Sequence, residues 1–146
     1  YVQRKHKELL EYSRDNNAGN EVAFIVDKDM VEREPIIGND EKISFGELYG
    51  RDLFIMHNHP RNNSYSIDDI VEFFGGSNVK SLSIVKNNGK VEVLTKLMEC
   101  DRMTAIKELD RMIRKNIKTG SDSEYRTIVN KFLSKYVELG VIEWLK

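Results

Sequence analysis

The alternation of apolar and polar residues predicts a chain of mixed helices and strands. Residues 2–14 include Leu9, Leu10 and Tyr12 and run into a polar, turn-forming stretch, which predicts a first helix. His6 stands among basic residues of this helix, which predicts a solvent-exposed position for its side chain. Short apolar runs predict strands at 21–27, 41–45, 53–58, 81–85 and 91–94.

The C-terminal third of the chain shows helical rather than strand spacing. Two apolar stripes recur at helical intervals, one from Met103 to Ile117 and one from Tyr125 to Val137. Such stripes are usually buried in the core, although a partner or dimer face stays open as an alternative. We predict an α/β core over residues 1–98, with a helical extension over 99–146 packed on the same domain.

The beginning and the end of the last predicted helix are marked by specific residues. Ser121 and Glu124 have the spacing of a capping box, in which each side chain bonds the backbone of the other. Gly140 follows the apolar stripe and predicts the point where the helix ends.

Composition narrows the class of protein without naming a function. Among 146 residues, 40% are hydrophobic and 32% charged, as in globular proteins, and the net charge of −1 favours neither nucleic acid nor membrane as a partner. A single cysteine and the lack of a signal-peptide or transmembrane pattern predict a reducing, cytoplasmic compartment. Because the chain begins with Tyr1 rather than Met, we expect it to be part of a longer protein.

The strongest chemical pattern follows the apolar run at 53–56. Side chains alternate faces along a strand, so His57 and His59 are expected to project to the same side at its C-terminal end. Pro60 then ends the strand, since it has no N–H to donate. Ser66 has the position of a helix start, which places Asp69 in the first turn, where it can reach back toward both imidazoles.

Two histidines and an aspartate are the ligands expected of a catalytic zinc site. Such a site takes three protein ligands and leaves a fourth position for water, and His57, His59 and Asp69 supply that number. Chance histidines at a strand end and a capping box between Ser66 and Asp69 are the alternatives, and a capping box is compatible with a metal ligand. The order of all these parts favours a metal site. Zinc is the predicted ion, although manganese, iron and cobalt suit the same ligands.

The motif from His57 to Asp69 resembles that of the JAMM (Jab/MPN) zinc metalloproteases and, more distantly, the RadC-like proteins. The resemblance implies a three-layer, cytidine-deaminase-like core with a mixed central sheet. It also implies zinc held by His57, His59 and Asp69, an upstream Glu acting on the attacking water, and Ser66 stabilising the oxyanion. The loop between His59 and Ser66 is one residue shorter than in most members, which resembles the bacterial and phage-type domains.

The upstream Glu has several candidates. In the family it stands at the start of an early strand, and Glu21 directly precedes the apolar run that predicts the first strand. Glu41 is the second choice, because it precedes another possible strand. Glu32 and Glu34 lie in a charged stretch that contains Pro35, and Glu47 is a further rival. We predict that Glu21 is the catalytic carboxylate.

These residues predict a zinc-dependent metallopeptidase or isopeptidase that cleaves an amide bond. The expected partner is a protein or peptide substrate, with a ubiquitin-like protein as one option, and the oligomeric state is left open. Loops at 28–40 and 61–65 are the expected walls of the substrate groove. One alternative is a catalytically silent JAMM-fold module for binding or assembly within a larger phage or toxin-like protein. Another is a RadC-like role near DNA, which the balanced charge disfavours.

Overall fold

The protein has a central sheet with helices on both of its faces. The computed structural model describes residues 1–39, 43, 45 and 48–146. Its helices in this part of the chain are α1 (Val2–Asn16), α2 (Ile67–Gly75), α3 (Arg102–Asn116) and α4 (Asp122–Glu138). Its strands there are β1 (Val22–Val26), β2 (Ile36–Ile37), β3 (Leu53–His59), β4 (Val79–Lys86), β5 (Val91–Lys96) and β6 (Ile142–Leu145). The predicted α/β class is confirmed.

The sheet is mixed, and its one parallel pair positions the predicted site. The strand order is β2-β1-β3-β4-β5-β6, with β3 and β4 parallel and all other neighbours antiparallel. A parallel pair needs a crossover, which here starts at the C-terminal end of β3 and runs through α2. The first turn of α2 therefore lies close to the histidines at the end of β3.

Each face of the sheet has its own apolar core, which makes the protein a three-layer structure. Helix α1 covers one face, where Leu9 packs with inward-facing residues of three strands, namely Val22, Val26, Met56 and Val85. Helices α2, α3 and α4 cover the other face, over Ala23, Ile25 and Ile55. The residues of β1 alternate between these two cores, as the period of a strand requires.

Two short edge strands were not predicted from the sequence. Strand β2 has only two residues, directly after Pro35, and lies in a stretch that we expected to be a loop. Strand β6 follows α4 and pairs with β5, so the C-terminal segment contributes a strand to the sheet as well as two helices. The strand expected at 41–45 falls largely outside the described residues.

The prediction that His6 is exposed is wrong. Its side chain is 4% exposed, and its Nε2 lies 2.8 Å from the Ser83 hydroxyl beneath the sheet. Burial lowers the pKa of His6 below its usual 6.5. The basic neighbours misled the interpretation, because His6 shares the buried face of α1 with Leu9 and Ser13 at helical spacing. Within the described residues, no helix is both long and apolar enough to cross a membrane.

Candidate metal centre

The two histidines of β3 lie on the sheet face covered by α2. Both follow the alternation of Ile55, which is buried in that core, and both are themselves buried. Ala23 of β1 pairs with His57 in antiparallel register. Continuing that register by two residues brings Glu21, just before β1, opposite His59. Strand pairing thus places Glu21 beside the histidines, although it lies 36 positions before His57 in the chain.

The three predicted ligands converge on one point. The Nε2 atoms of His57 and His59 are 2.9 Å apart, and their rings stack with centroids separated by 4.8 Å. Asp69 Oδ1 lies 3.3 Å from His57 Nε2, and Asp69 Oδ2 lies 3.3 Å from His59 Nε2. Among the described residues, this is a cluster that can hold a metal ion.

The orientation of the His59 ring is fixed by the loop that follows β3. His59 Nδ1 lies 2.9 Å from the carbonyl oxygen of Asn63, and a carbonyl only accepts, so Nδ1 carries the proton. The Nε2 lone pair of the neutral ring then faces Asp69 and His57. A backbone carbonyl that holds one nitrogen of an imidazole while the other binds the ion is the usual arrangement around a metal ligand.

Asp69 is both a candidate ligand and part of the predicted capping box, which is confirmed. Its Oδ2 accepts a hydrogen bond from the Ser66 backbone N–H at 2.8 Å, and its own N–H donates to Ser66 Oγ at 3.2 Å. These bonds hold the carboxylate at the start of α2 while it faces both imidazoles. The two interpretations of Ser66 and Asp69 are therefore compatible in this geometry.

The electrostatics favour an ionised carboxylate at Asp69 and a neutral imidazole at His57. Burial lowers the pKa of His57 to about 4, although the Asp69 carboxylate opposes this change. Burial also lowers the pKa of His59, but the hydrogen bond and charge of Asp69 outweigh it and the net pKa is raised. Burial raises the pKa of Asp69, and the nearby histidines reverse this, bringing it to about 2. Asp69 is consequently an anion at neutral pH.

The donor atoms lie close enough together to share one metal ion. Zinc bonds of about 2.0–2.2 Å at tetrahedral angles place neighbouring donors roughly 3.3–3.6 Å apart. The distance from each imidazole to its nearer Asp69 oxygen is 3.3 Å, which is close to this spacing, and the two imidazoles need to separate only slightly. Lone pairs and a buried negative charge facing one another are costly unless a proton or a cation lies between them. This donor set therefore suits a divalent cation.

A cleft of about 500 Å³ adjoins the cluster. Glu21 and Ser66, the two residues predicted to assist catalysis, both line it, whereas the three predicted ligands do not appear in its lining. One wall is the segment from Arg61 to Asp68, as expected for that loop. Helix α4 also lines the cleft, through Asp122, Tyr125, Arg126 and Val129, whereas the expected loop at 28–40 does not appear in the lining.

Among the candidate carboxylates that the structure describes, Glu21 lies close to the cluster. It is 6% exposed, and its negative charge contributes to raising the pKa of His59. Glu32 pairs instead with Lys5 and the Tyr1 hydroxyl on the opposite side of β1, and Glu34 is exposed. Glu41 and Glu47 lie outside the described residues.

Asn58 was missed in the sequence analysis, although it lies between the two histidines. Its side chain points to the opposite face, where Oδ1 accepts from the Val22 N–H at 2.7 Å and Nδ2 lies 3.1 Å from Ser13 Oγ. It is fully buried and fixes the start of β1, next to Glu21. The signal was present in the sequence, because an amide inside a buried strand must be bonded to something.

No family model matches this chain, and neither the curated proteins nor the solved structures contain a match.

Proposed function

We propose that the protein is a zinc-dependent hydrolase of the JAMM type that cleaves an amide bond in a protein or peptide. One observation carries the proposal: a buried His-His-Asp cluster lies beside a cleft lined by Glu21 and Ser66. Ligands, base and oxyanion donor are the parts that metal-assisted hydrolysis requires, and here they come from three separate elements of the chain.

Each residue has a chemical role that its environment supports. When bound, a zinc ion supplies Lewis acidity, which makes a water nucleophilic near pH 7 and polarises the scissile carbonyl. The Glu21 carboxylate accepts the proton of the attacking water and passes it to the leaving nitrogen. Ser66 Oγ acts as an acceptor in the capping box, so its own proton stays available to the developing oxyanion.

The cleft supports a peptide-like substrate. Its volume of about 500 Å³ lies within the range of ligand pockets and accommodates a short extended segment. Its walls carry side chains of both charges, Arg61 and Arg126 with Asp68 and Asp122, beside the apolar Ile67 and Val129. Such a lining suits a polypeptide better than a purely anionic ligand, and a ubiquitin-like tail is one candidate within this class.

The test combines metal content with turnover. Purified protein is loaded with zinc, its metal content is measured, and it is screened against peptide and isopeptide substrates. Glu21→Gln is expected to keep its zinc and to lose about 10²–10⁴-fold in rate, which is the usual contribution of a general base. Glu34→Gln is the matched control, because Glu34 is exposed and outside the cleft.

Two results would contradict the proposal. A folded protein that takes up no metal has no hydrolytic centre of this kind. A protein that binds zinc but cleaves none of the substrates, with Glu21→Gln indistinguishable from the wild type in every assay, favours the silent binding module instead.

A further inference from the structure

Residues 60–65, here called the motif loop, are hydrogen-bonded to the hairpin formed by β4 and β5. At its start, the Asn87 side chain donates to the Pro60 carbonyl at 2.9 Å, and the Asn88 N–H donates to Asn62 Oδ1 at 3.0 Å. At its end, the Tyr65 hydroxyl lies 2.7 Å from the Leu82 carbonyl. The loop is therefore held at both ends, which is unusual for a polar surface connection.

Between these two attachments, the loop is bonded to a buried carboxylate. Glu92 of β5 is 5% exposed, and its Oε1 accepts from the Ser64 hydroxyl at 2.9 Å and from the Trp144 indole N–H at 3.0 Å. Its Oε2 forms an ion pair with Lys86 at 2.9 Å. The donors come from the motif loop, from β6 and from β4.

The motif loop links Glu92 to the metal cluster, because the loop residue that bonds Glu92 is adjacent in sequence to the one that bonds His59. Ser64 directly follows Asn63, whose carbonyl accepts the Nδ1–H of His59. Lys86, the ion-pair partner of Glu92, also lies beside His59 in the register of β3 and β4. On its other side, Ser64 is two residues from Ser66, which caps α2 and holds Asp69. A shift of Ser64 would therefore move the groups that orient two of the three ligands.

We infer that Glu92 is a positioning residue for the metal centre: by holding Ser64, it fixes the Asn63 carbonyl that keeps His59 Nε2 directed at the ion. The inference rests on the metal site of the proposed function. It also gives Trp144 a role, because the indole donor attaches the C-terminal strand to the same carboxylate. Mutation of groups that hydrogen-bond and orient metal ligands typically lowers metal affinity about 10–100-fold.

A purely structural role for Glu92 makes a different prediction. If the carboxylate only joined β4, β5 and β6, its loss would lower the unfolding temperature, and the folded protein would bind zinc as before. The loop hydroxyl separates the two cases, because Ser64→Ala removes the link to the motif loop and leaves the contacts of Glu92 with Lys86 and Trp144 in place.

The experiment measures the zinc affinity of folded protein by competition with a chelating dye, and the absorption spectrum of the cobalt form. Ser64→Ala and Glu92→Met are expected to bind zinc about 10–100-fold more weakly, with an altered cobalt spectrum. Glu92→Gln is expected to keep most of the affinity, because its amide oxygen can still accept from Ser64 and Trp144. Ser81→Ala is the control. It deletes another hydroxyl contact between β4 and β5, in which Ser81 Oγ lies 3.1 Å from Thr95 Oγ1 rather than bonding the motif loop.

The outcomes separate this inference from the proposed function. Wild-type zinc affinity and an unchanged cobalt spectrum in Ser64→Ala overturn the positioning role, even if that variant melts at a lower temperature. This variant also decides the question if Glu92→Met fails to fold. A wild type that binds no zinc refutes the proposed function itself, and with it the basis of this inference.

Discussion

Asp69→Asn tests the candidate metal centre with little change of shape. The amide oxygen can still accept from the Ser66 N–H, so the start of α2 keeps its cap. With the amide in that orientation, its NH2 group occupies the position of Oδ1, 3.3 Å from His57 Nε2. The variant thus replaces a negative lone-pair donor by a hydrogen-bond donor inside the cluster. Metal binding should be lost while the fold is retained.

The expected size of the effect follows from the linkage between binding and stability. Zinc at 100 times its dissociation constant stabilises a folded protein by about 2.7 kcal/mol. Each kcal/mol raises the melting temperature by about 2–4 °C at this chain length, which gives a rise of roughly 5–11 °C for the wild type. If Asp69→Asn weakens binding about 100-fold, the same zinc concentration contributes only about 0.4 kcal/mol, or roughly 1 °C.

The assay is a thermal melt with zinc and with EDTA for the wild type, Asp69→Asn and Asp68→Asn. Asp68 is the matched control, because it lies in the same first turn of α2 but is exposed and outside the cluster. Asp68→Asn should show the full shift. An equal zinc-dependent shift in Asp69→Asn would refute the assignment of Asp69 as a ligand, and no shift in the wild type would refute the site.

Four further outcomes are expected. Apparent zinc affinity should fall as the pH drops through the pKa of His59, which lies above 6.5, because a ligand must lose its proton before it binds; titration with a chelator at several pH values measures this. Buried His6 resists protonation in the folded state, whereas the unfolded chain takes up a proton near pH 6.5, so the free energy of unfolding should decrease below that pH. The decrease should be smaller in His6→Gln, and urea unfolding at several pH values measures it. Phe132→Ala, at a fully buried ring, should cost about 3–5 kcal/mol in the same urea assay. Ser121→Ala, which removes the cap of α4, should cost about 1 kcal/mol and leave zinc affinity unchanged.

The elements of this fold could be predicted where one local rule decided the structure. The capping residues of α4 were identified correctly, because cap spacing is a short-range signal. The edge strands β2 and β6 were missed, because their pairing depends on distant neighbours. The exposure of His6 was misjudged for the opposite reason, since the charge of nearby residues was given more weight than its helical face.

The same distinction applies to the candidate site. His57, His59 and Asp69 lie within one strand–loop–helix segment, so alternation and helix position were enough to bring them together. The place of Glu21 depends on the register of β1 against β3, which the sequence does not state. The α4 wall of the cleft and the bond between Ser64 and Glu92 are tertiary contacts that no motif records. Local chemistry was readable in the sequence, and its surroundings were not.

The crossover from β3 to β4 explains why a metal site arises at this point of the sheet. It places a helix N-terminus, where an anion is favoured by the helix dipole, against the carboxyl end of a buried strand that carries two imidazoles. The two histidines and the Ser66 N–H outweigh burial and lower the pKa of Asp69 to about 2, so that it is ionised. Burial lowers the pKa of His57 to about 4, so that it is neutral above that pH. Burial lowers the pKa of His59, but the hydrogen bond and charge of Asp69 outweigh this effect and raise it above its usual value. The fold thus presents Asp69 and His57 in their metal-binding protonation states, and a metal ion competes with a proton for His59.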